Sequence, residues 1–335
     1  MTSTAAPSLT QNVVTYDAGA NVTAVGWMKD VAALGLGDGG VLLAKDGETH
    51  RVEAHPGAGV LVAACDGARF VTGGDDGRVA VTGPDGATAT LADLKGAWID
   101  SLAVNASGAF AFAAGKRVFA RSDKGKEKSL EVPSTARGLA FAPKGYRLAI
   151  AHYNGATLWF PNLEAKPEVL DWKGSHLDVT WSPDGRFVVT SMQENALHGW
   201  RLQPDRGHMR MSGYPSKTRS FAWSHDGKWL ATSGAEAAIV WSFESKEGPM
   251  GKAPRECGVR PAKVERVAFH PNALVLAVGY EDGCILLIRL NDASELPVRP
   301  AVEGSGVTAL AWDKAGRRLA FGCEDGRSGI LALPS

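Results

Sequence analysis

The sequence predicts an all-β chain closed into a single propeller, and three observations carry that reading. A phrase of apolar run, polar turn, apolar run, tight turn and apolar run returns eight times, most plainly as WSPDGRFVVTS from Trp181 and WSHDGKWLATS from Trp223. Its anchor residues lie 36, 41, 37, 40, 42, 46 and 43 residues apart, and a period of roughly 40–45 residues with about four strands is that of a propeller blade. Along the first strand of each copy, bulky and small side chains alternate, which suits sheets stacked face to face around an axis.

The copies follow one another along the chain. Three are degenerate, anchored at Trp27, Ala63 and Val104. The next begins at Phe141 (FAPKGYRLAIA), then come the two clear copies at Trp181 and Trp223, and the last two start at Phe269 (FHPNALVLAVG) and Trp312 (WDKAGRRLAFG). The Trp181 copy shows how one unit folds. Val179 and Trp181 alternate with Asp178 and Thr180, a period of two that reads as a strand. Ser182-Pro183-Asp184-Gly185 is a turn, because proline presets φ, aspartate bonds its own backbone and glycine accepts positive φ. Phe187 to Ser191 reads as the second strand and Leu197 to Trp200 as the third. Connecting segments such as Glu168-Val169-Leu170 supply a fourth.

Each anchor and the residue two before it are mostly bulky: Val25/Trp27, Leu61/Ala63, Leu102/Val104, Leu139/Phe141, Val179/Trp181, Phe221/Trp223, Val267/Phe269 and Leu310/Trp312. The residue between is mostly small: Gly26, Val62, Ala103, Ala140, Thr180, Ala222, Ala268 or Ala311. Side chains alternate across a strand, so one face of each sheet is bulky and the other lean. A ring can set the bulky face of one blade into the lean face of its neighbour, whereas a two-layer sandwich buries one face and wets the other. Eight blades are expected, with seven as the alternative. The last copy stops after its third strand, at Gly329 to Leu333, and the strand-like Val13-Val14-Thr15-Tyr16 is expected to complete it, removing two open sheet edges. The propeller is thus expected over residues 13–333, with 1–12 disordered or loosely held.

Composition narrows the function classes. There are 36 Lys and Arg against 36 Asp and Glu, so no net charge recommends nucleic acid or an anionic membrane as partner. The longest apolar runs, Val60 to Cys65 and Ala273 to Gly279, are strand-length and too short for a membrane span. The opening MTSTAAPSLTQNVV lacks a basic start and an apolar core, so no secretory signal is expected. Four cysteines (Cys65, Cys257, Cys284, Cys323) show no C-x-x-C spacing, which argues against a zinc or redox site and for a reducing cytoplasm.

The W/F-S-P-D-G phrase, the turns Asp75-Asp76-Gly77, Glu281-Asp282-Gly283 and Glu324-Asp325-Gly326, and the third-strand tryptophans Trp159, Trp200 and Trp241 together resemble the WD-repeat propeller family over roughly residues 13–333. The chain departs from that pattern in two places. Its third-strand tryptophans are followed by Phe160, Arg201 and Ser242 rather than aspartate. No Gly-His pair precedes a first strand, and His176 stands only five residues before Trp181, too close to take that part. The family's buried Asp-His-Ser/Thr-Trp tetrad is therefore expected to be absent or rebuilt. The resemblance implies a non-catalytic platform that binds proteins or peptides on one face of the ring, acting as a monomer or within a hetero-complex.

Candidate sites follow from the ring. Asp100, Arg137, Arg219 and Glu265 each stand four residues before an anchor, where a propeller places them near one mouth of its central channel. The segment 201–219 carries five Arg and Lys against one Asp, and Arg206, Arg210 and Tyr214 with Met209 and Met211 are of types enriched at protein interfaces. Residues 244–263 form the longest insertion. No H-E-x-x-H, G-x-S-x-G or phosphate-loop motif occurs, so no catalytic residue, cofactor or metal is assigned. The competing expectation is a propeller enzyme, or a small-ligand or metal-binding protein, with its site at the central channel.

Overall fold

The computed structural model describes residues 8–203 and 205–334, and its first strands show why the alternation matters. All four anchor tryptophans donate their indole N–H to the preceding blade, at or beside the small residue of that blade's first strand. Trp27 reaches the Ala311 carbonyl (2.9 Å), Trp181 that of Ala140 (3.0 Å), Trp312 that of Ala268 (3.2 Å) and Trp223 the Thr180 hydroxyl (3.1 Å). A Cβ on Gly26 would lie 2.6 Å from the Cβ of Cys65, so the lean face of blade 1 accepts blade 2 only because it is bare there. This last contact corrects one register. The anchor of the second repeat is Cys65, not Ala63: Cys65 pairs with Phe70 as Trp27 pairs with Ala32.

Every sheet is antiparallel. Six have four strands, and one has six, formed by Gly138–Phe141, Leu148–Trp159, Glu168–Trp181, Phe187–Met192, Ala196–Arg201 and Gly207–Met211. Within the latter, two long strands bend in the middle. Leu148–Trp159 shifts register between Tyr153 and Gly155, and Glu168–Trp181 pairs first with one neighbour and then, from His176, with the next. Blades 4 and 5 therefore share one sheet. Counted as sheets the described residues make seven, the number of the alternative reading; counted as four-strand repeats they make eight.

The apolar core has the same eightfold division. Eight buried clusters lie one at each junction between consecutive repeats, among them that joining Val71 and Val79 to Phe112 and that joining Leu34 and Leu42 to Ala320. The junction between the last repeat and the first is packed like the others, so the circle is closed. Its last blade is completed by Val13–Asp17, which pairs with Arg327–Ala332 in the register Val13↔Leu331 to Asp17↔Arg327. This velcro covers the edge that Arg327–Ala332 would otherwise leave open, and Val13–Asp17 becomes the outer strand of the blade. Of the segment expected to be loose, 1–7 lies outside the described residues. Leu9 is buried beside blade 7, its N–H bonded to the Pro297 carbonyl at 2.8 Å.

The turns form as their residues dictate. Ser182 Oγ accepts the Phe187 N–H (2.9 Å) and donates to Asp184 (2.6 Å), and Gly185 takes φ +75°. Ser224, Asp226 and Trp229 repeat the arrangement in the next blade. The tetrad is rebuilt in several versions. His55 bonds Thr72 Oγ1 (2.9 Å) and Asp76 (3.0 Å), while Trp241 donates to the Tyr214 hydroxyl (2.6 Å), which lies 2.7 Å from Thr232 Oγ1. His176, only five residues before Trp181, makes just part of this network: its ring lies 2.7 Å from Thr190 Oγ1, while the Trp200 indole nitrogen has no hydrogen-bond partner.

Candidate interaction surface at the channel mouth

First strands of successive blades pack against one another around the axis, so their leading ends ring the central channel. In five blades a bulge adds one residue at that end: Thr23, Leu61, Leu177, Glu265 and Thr308. Asp100, Arg137 and Arg219 take the matching place in blades 3, 4 and 6. The residue before each of these eight is buried, from Val22 and Val60 to Val264 and Val307. It seats against small residues on the second strand of the preceding blade, such as Gly73, Gly279 and Gly322. A Cβ on Gly279 would lie 2.5 Å from Val307 Cγ1, and one on Gly322 2.3 Å from Val22 Cγ1. Buried plugs and glycine sockets thus fix the mouth residues on a rigid frame.

The four mouth residues named from the sequence come together as two pairs. Arg137 Nη1 lies 3.2 Å from Asp100 Oδ2, and Arg219 Nη1 lies 3.6 Å from Glu265 Oε2. Each pair spans adjacent blades and has its arginine about half exposed or more, so it contributes at most about 1 kcal/mol to stability. Two charged side chains that the sequence reading passed over sit one position deeper. Arg266 donates to the Glu265 carbonyl at 2.8 Å and to that of Thr308, and burial pulls its pKa down. Asp178 lies against the backbone of blade 4, where a Cβ on Gly138 would meet its Oδ1 at 2.8 Å. Burial pushes its carboxyl up to about 6, against the pull of its hydrogen bond from the Val179 N–H at 2.8 Å. The signal was in the sequence, since both stand three residues before an anchor.

The second predicted group divides. Arg210 is exposed on the outer strand of blade 5, and Arg206 is exposed just before that strand and bonded to Glu168 across to blade 4. Tyr214 is corrected: it is buried, and its hydroxyl is committed to Trp241 and Thr232. Met209 and Met211 are buried beside it in the junction of blades 5 and 6. The segment 244–263 contributes the short strand Arg255–Cys257 and leaves Met250 and Val259 exposed. Among the described residues, no group of three or more His, Cys, Asp or Glu is placed to hold a metal ion and no helix is long and apolar enough to cross a membrane.

Comparison with known proteins agrees with this geometry. A family profile described as the anaphase-promoting complex subunit 4 WD40 domain matches residues 267–335. The solved C-terminal WD40 domain of Sif2 superposes with a TM-score of 0.75 at 14% identity, over 96% of this chain and 99% of that one. This chain is a WD-repeat β-propeller. The computationally designed Ika8 protein has the same fold, with a TM-score of 0.76 at 16% identity over 95% and 98% of the two chains. Protein HIR1 of Cryptococcus neoformans is 23% identical over 183 residues, 47% of this WD-repeat chain and 20% of that protein. Periodic tryptophan protein 2 of Saccharomyces cerevisiae is 24% identical over 170 residues (43% and 18%). Meiotic recombination protein rec14 of Schizosaccharomyces pombe is 30% identical over 110 residues (32% and 36%). The WD-repeat chain therefore spans only a minor part of each of these relatives.

Proposed function

We propose that this propeller is a non-catalytic platform that binds a protein or peptide partner at the channel mouth, as a monomer or within a hetero-complex. The observation that carries the reading is the pair of inter-blade ion pairs, Asp100–Arg137 and Arg219–Glu265, held at the mouth on buried plugs. Charges already fixed by their scaffold lose little freedom when a partner engages them, so more of the contact energy appears as affinity. The matching family profile is named for a subunit of a multi-protein complex, which supports the same class of function. All four cysteines are free, which supports a reducing, cytoplasmic setting.

The test is capture of partners from native cells by the parent protein and by the Arg137→Glu/Arg219→Glu variant. The expected result is a specific partner retained by the parent and lost by the variant. Capture of no specific partner, or of the same partner equally by both, overturns the proposal.

A further inference from the structure

A groove of about 860 Å³ opens between blades 3 and 4 at the opposite end of the strands from the channel mouth. Its walls are the turns that join first to second and third to fourth strands. They are stiffened internally: Asn105 Oδ1 accepts the N–H groups of Ser107 (3.1 Å) and Ala109 (3.0 Å), and Ser122 Oγ accepts that of Lys126 (3.1 Å). The aromatic side is a stacked pair, Phe141 and Tyr146, with ring centroids 5.6 Å apart. The Tyr146 hydroxyl is enclosed and makes no hydrogen bond, and burial, with Asp123 nearby, pushes its pKa up to about 12.

The charge lining this groove has one dominant sign. Lys124, Lys126 and Lys128 line it against the single acid Asp123. Lys126 and Lys128 stand two apart at the edge strand Glu127–Glu131, so they share a face while Glu127 takes the other. A carboxylate already rests on one of them: Glu164, almost wholly exposed, puts Oε1 3.3 Å from Lys128 Nζ. An incoming acid can replace it at little cost, because exposed pairs of this kind are weak.

We infer that this groove is a second binding site, for an acidic peptide segment that places an apolar side chain on the Phe141–Tyr146 pair and carboxylates on the three lysines. Its volume is in the range of pockets that enclose a ligand, and its charge is complementary to such a segment although the whole chain is neutral. The site is separate from the channel mouth, so the two proposals stand or fall independently.

Fluorescence anisotropy with the labelled peptide EEDLDEE tests it, with EEDSDEE and QQNLNQQ as comparison peptides. The parent should bind EEDLDEE more tightly than either. Replacing Lys124, Lys126 and Lys128 together, by glutamate or by glutamine, should weaken binding about tenfold or more, chiefly through the faster loss of steering and paired charge. Lys29→Glu/Lys246→Glu/Lys314→Glu, on other blades, should leave binding within about twofold. Tyr146→Ala should erase the preference for the leucine peptide. Arg137→Glu/Arg219→Glu should change nothing, which separates this site from the mouth. Equal binding of EEDLDEE and QQNLNQQ, equal loss in groove and control variants, or displacement of the peptide by an equimolar thymidine dodecanucleotide would overturn the inference.

Discussion

The indole nitrogen of Trp181 donates to the carbonyl oxygen of Ala140 at 3.0 Å, so the bulky anchor of blade 5 is bonded to the small residue at the centre of blade 4's first strand. The same bond recurs from Trp27 to Ala311 and from Trp312 to Ala268. Indole at these positions supplies both area and a donor. Trp181→Phe keeps most of the area and loses the donor, and should cost about 1–2 kcal/mol in urea unfolding. Trp181→Ala loses both and should cost about 3–5 kcal/mol. Equal stability of the phenylalanine variant and the parent would show that the bond contributes nothing.

Ring closure rests on contacts as local as that one. Val22 occupies the space that a side chain on Gly322 would need, at 2.3 Å from its Cβ position. Gly322→Ala should therefore destabilise by about 1–3 kcal/mol through overpacking. Val22→Ala alone should cost a similar amount through a cavity. Together the two should cost less than their sum by at least about 0.5 kcal/mol, since the smaller plug makes room for the new methyl. Strict additivity would mean that first and last blades do not press on each other there.

The mouth arginines behave differently. Their side chains are about half exposed or more, at 49% for Arg137 and 66% for Arg219. Arg137→Glu and Arg219→Glu should each shift stability by no more than about 1 kcal/mol. A thermal melt that stays close to the parent's would make any loss of partner binding an effect on the surface itself. A collapse of the fold would instead place these arginines in the scaffold.

The architecture was readable because each blade repeats one strand's alternation of large and small, and the junctions reuse it. What escaped the reading was position within a repeat. Ala63 and Cys65 are both small, so side-chain size could not choose between them, and only the bulge at Leu61 fixes Cys65 as the anchor. His176 reaches Thr190 from the leading end of the first strand, a contact that the count of residues before Trp181 does not announce. Tyr214, Met209 and Met211 carry an interface-like composition, yet a blade junction is itself an interface, and they are buried in one. The groove between blades 3 and 4 draws lysines from one segment and aromatics from another, and no single stretch of sequence announces it.

Acid should weaken the fold through His198. This ring is fully buried, stacked on Trp172 at 3.8 Å, with its Nδ1 unpartnered and its Nε2 3.1 Å from His208 Nδ1. Burial, reinforced by His208, His176 and Arg210, drives its pKa down to about 3. The unfolded chain takes up the proton near 6.5 while the folded chain refuses it, so stability is full above that pH and falls as pH drops toward 3. The loss should reach about 1–2 kcal/mol by pH 5. His198→Phe, which keeps the stacking and cannot titrate, should make this limb shallower in urea unfolding followed from pH 7 to 5, leaving the part that His152 and His176, also lowered by burial, contribute. An unchanged slope would mean that the ring is free to protonate where it sits.

Asp178 should act in the opposite direction. Its carboxyl is held up at about 6 by enclosure against Gly138, with only the Val179 N–H favouring its charge. In the unfolded chain it ionises near 3.9, so between roughly pH 4 and 6 the folded chain keeps a proton that the unfolded chain has released. Stability from this group is greatest below that window and lost as pH rises through it. Asp178→Asn should therefore be more stable than the parent at pH 7 by about 1–3 kcal/mol, the range allowing for water in the channel. At pH 4 the two should be equal. Taking the difference between variant and parent at each pH cancels the contribution of His198, which both proteins share. An advantage of Asp178→Asn that persists unchanged at pH 4 would assign it to packing rather than to the buried charge.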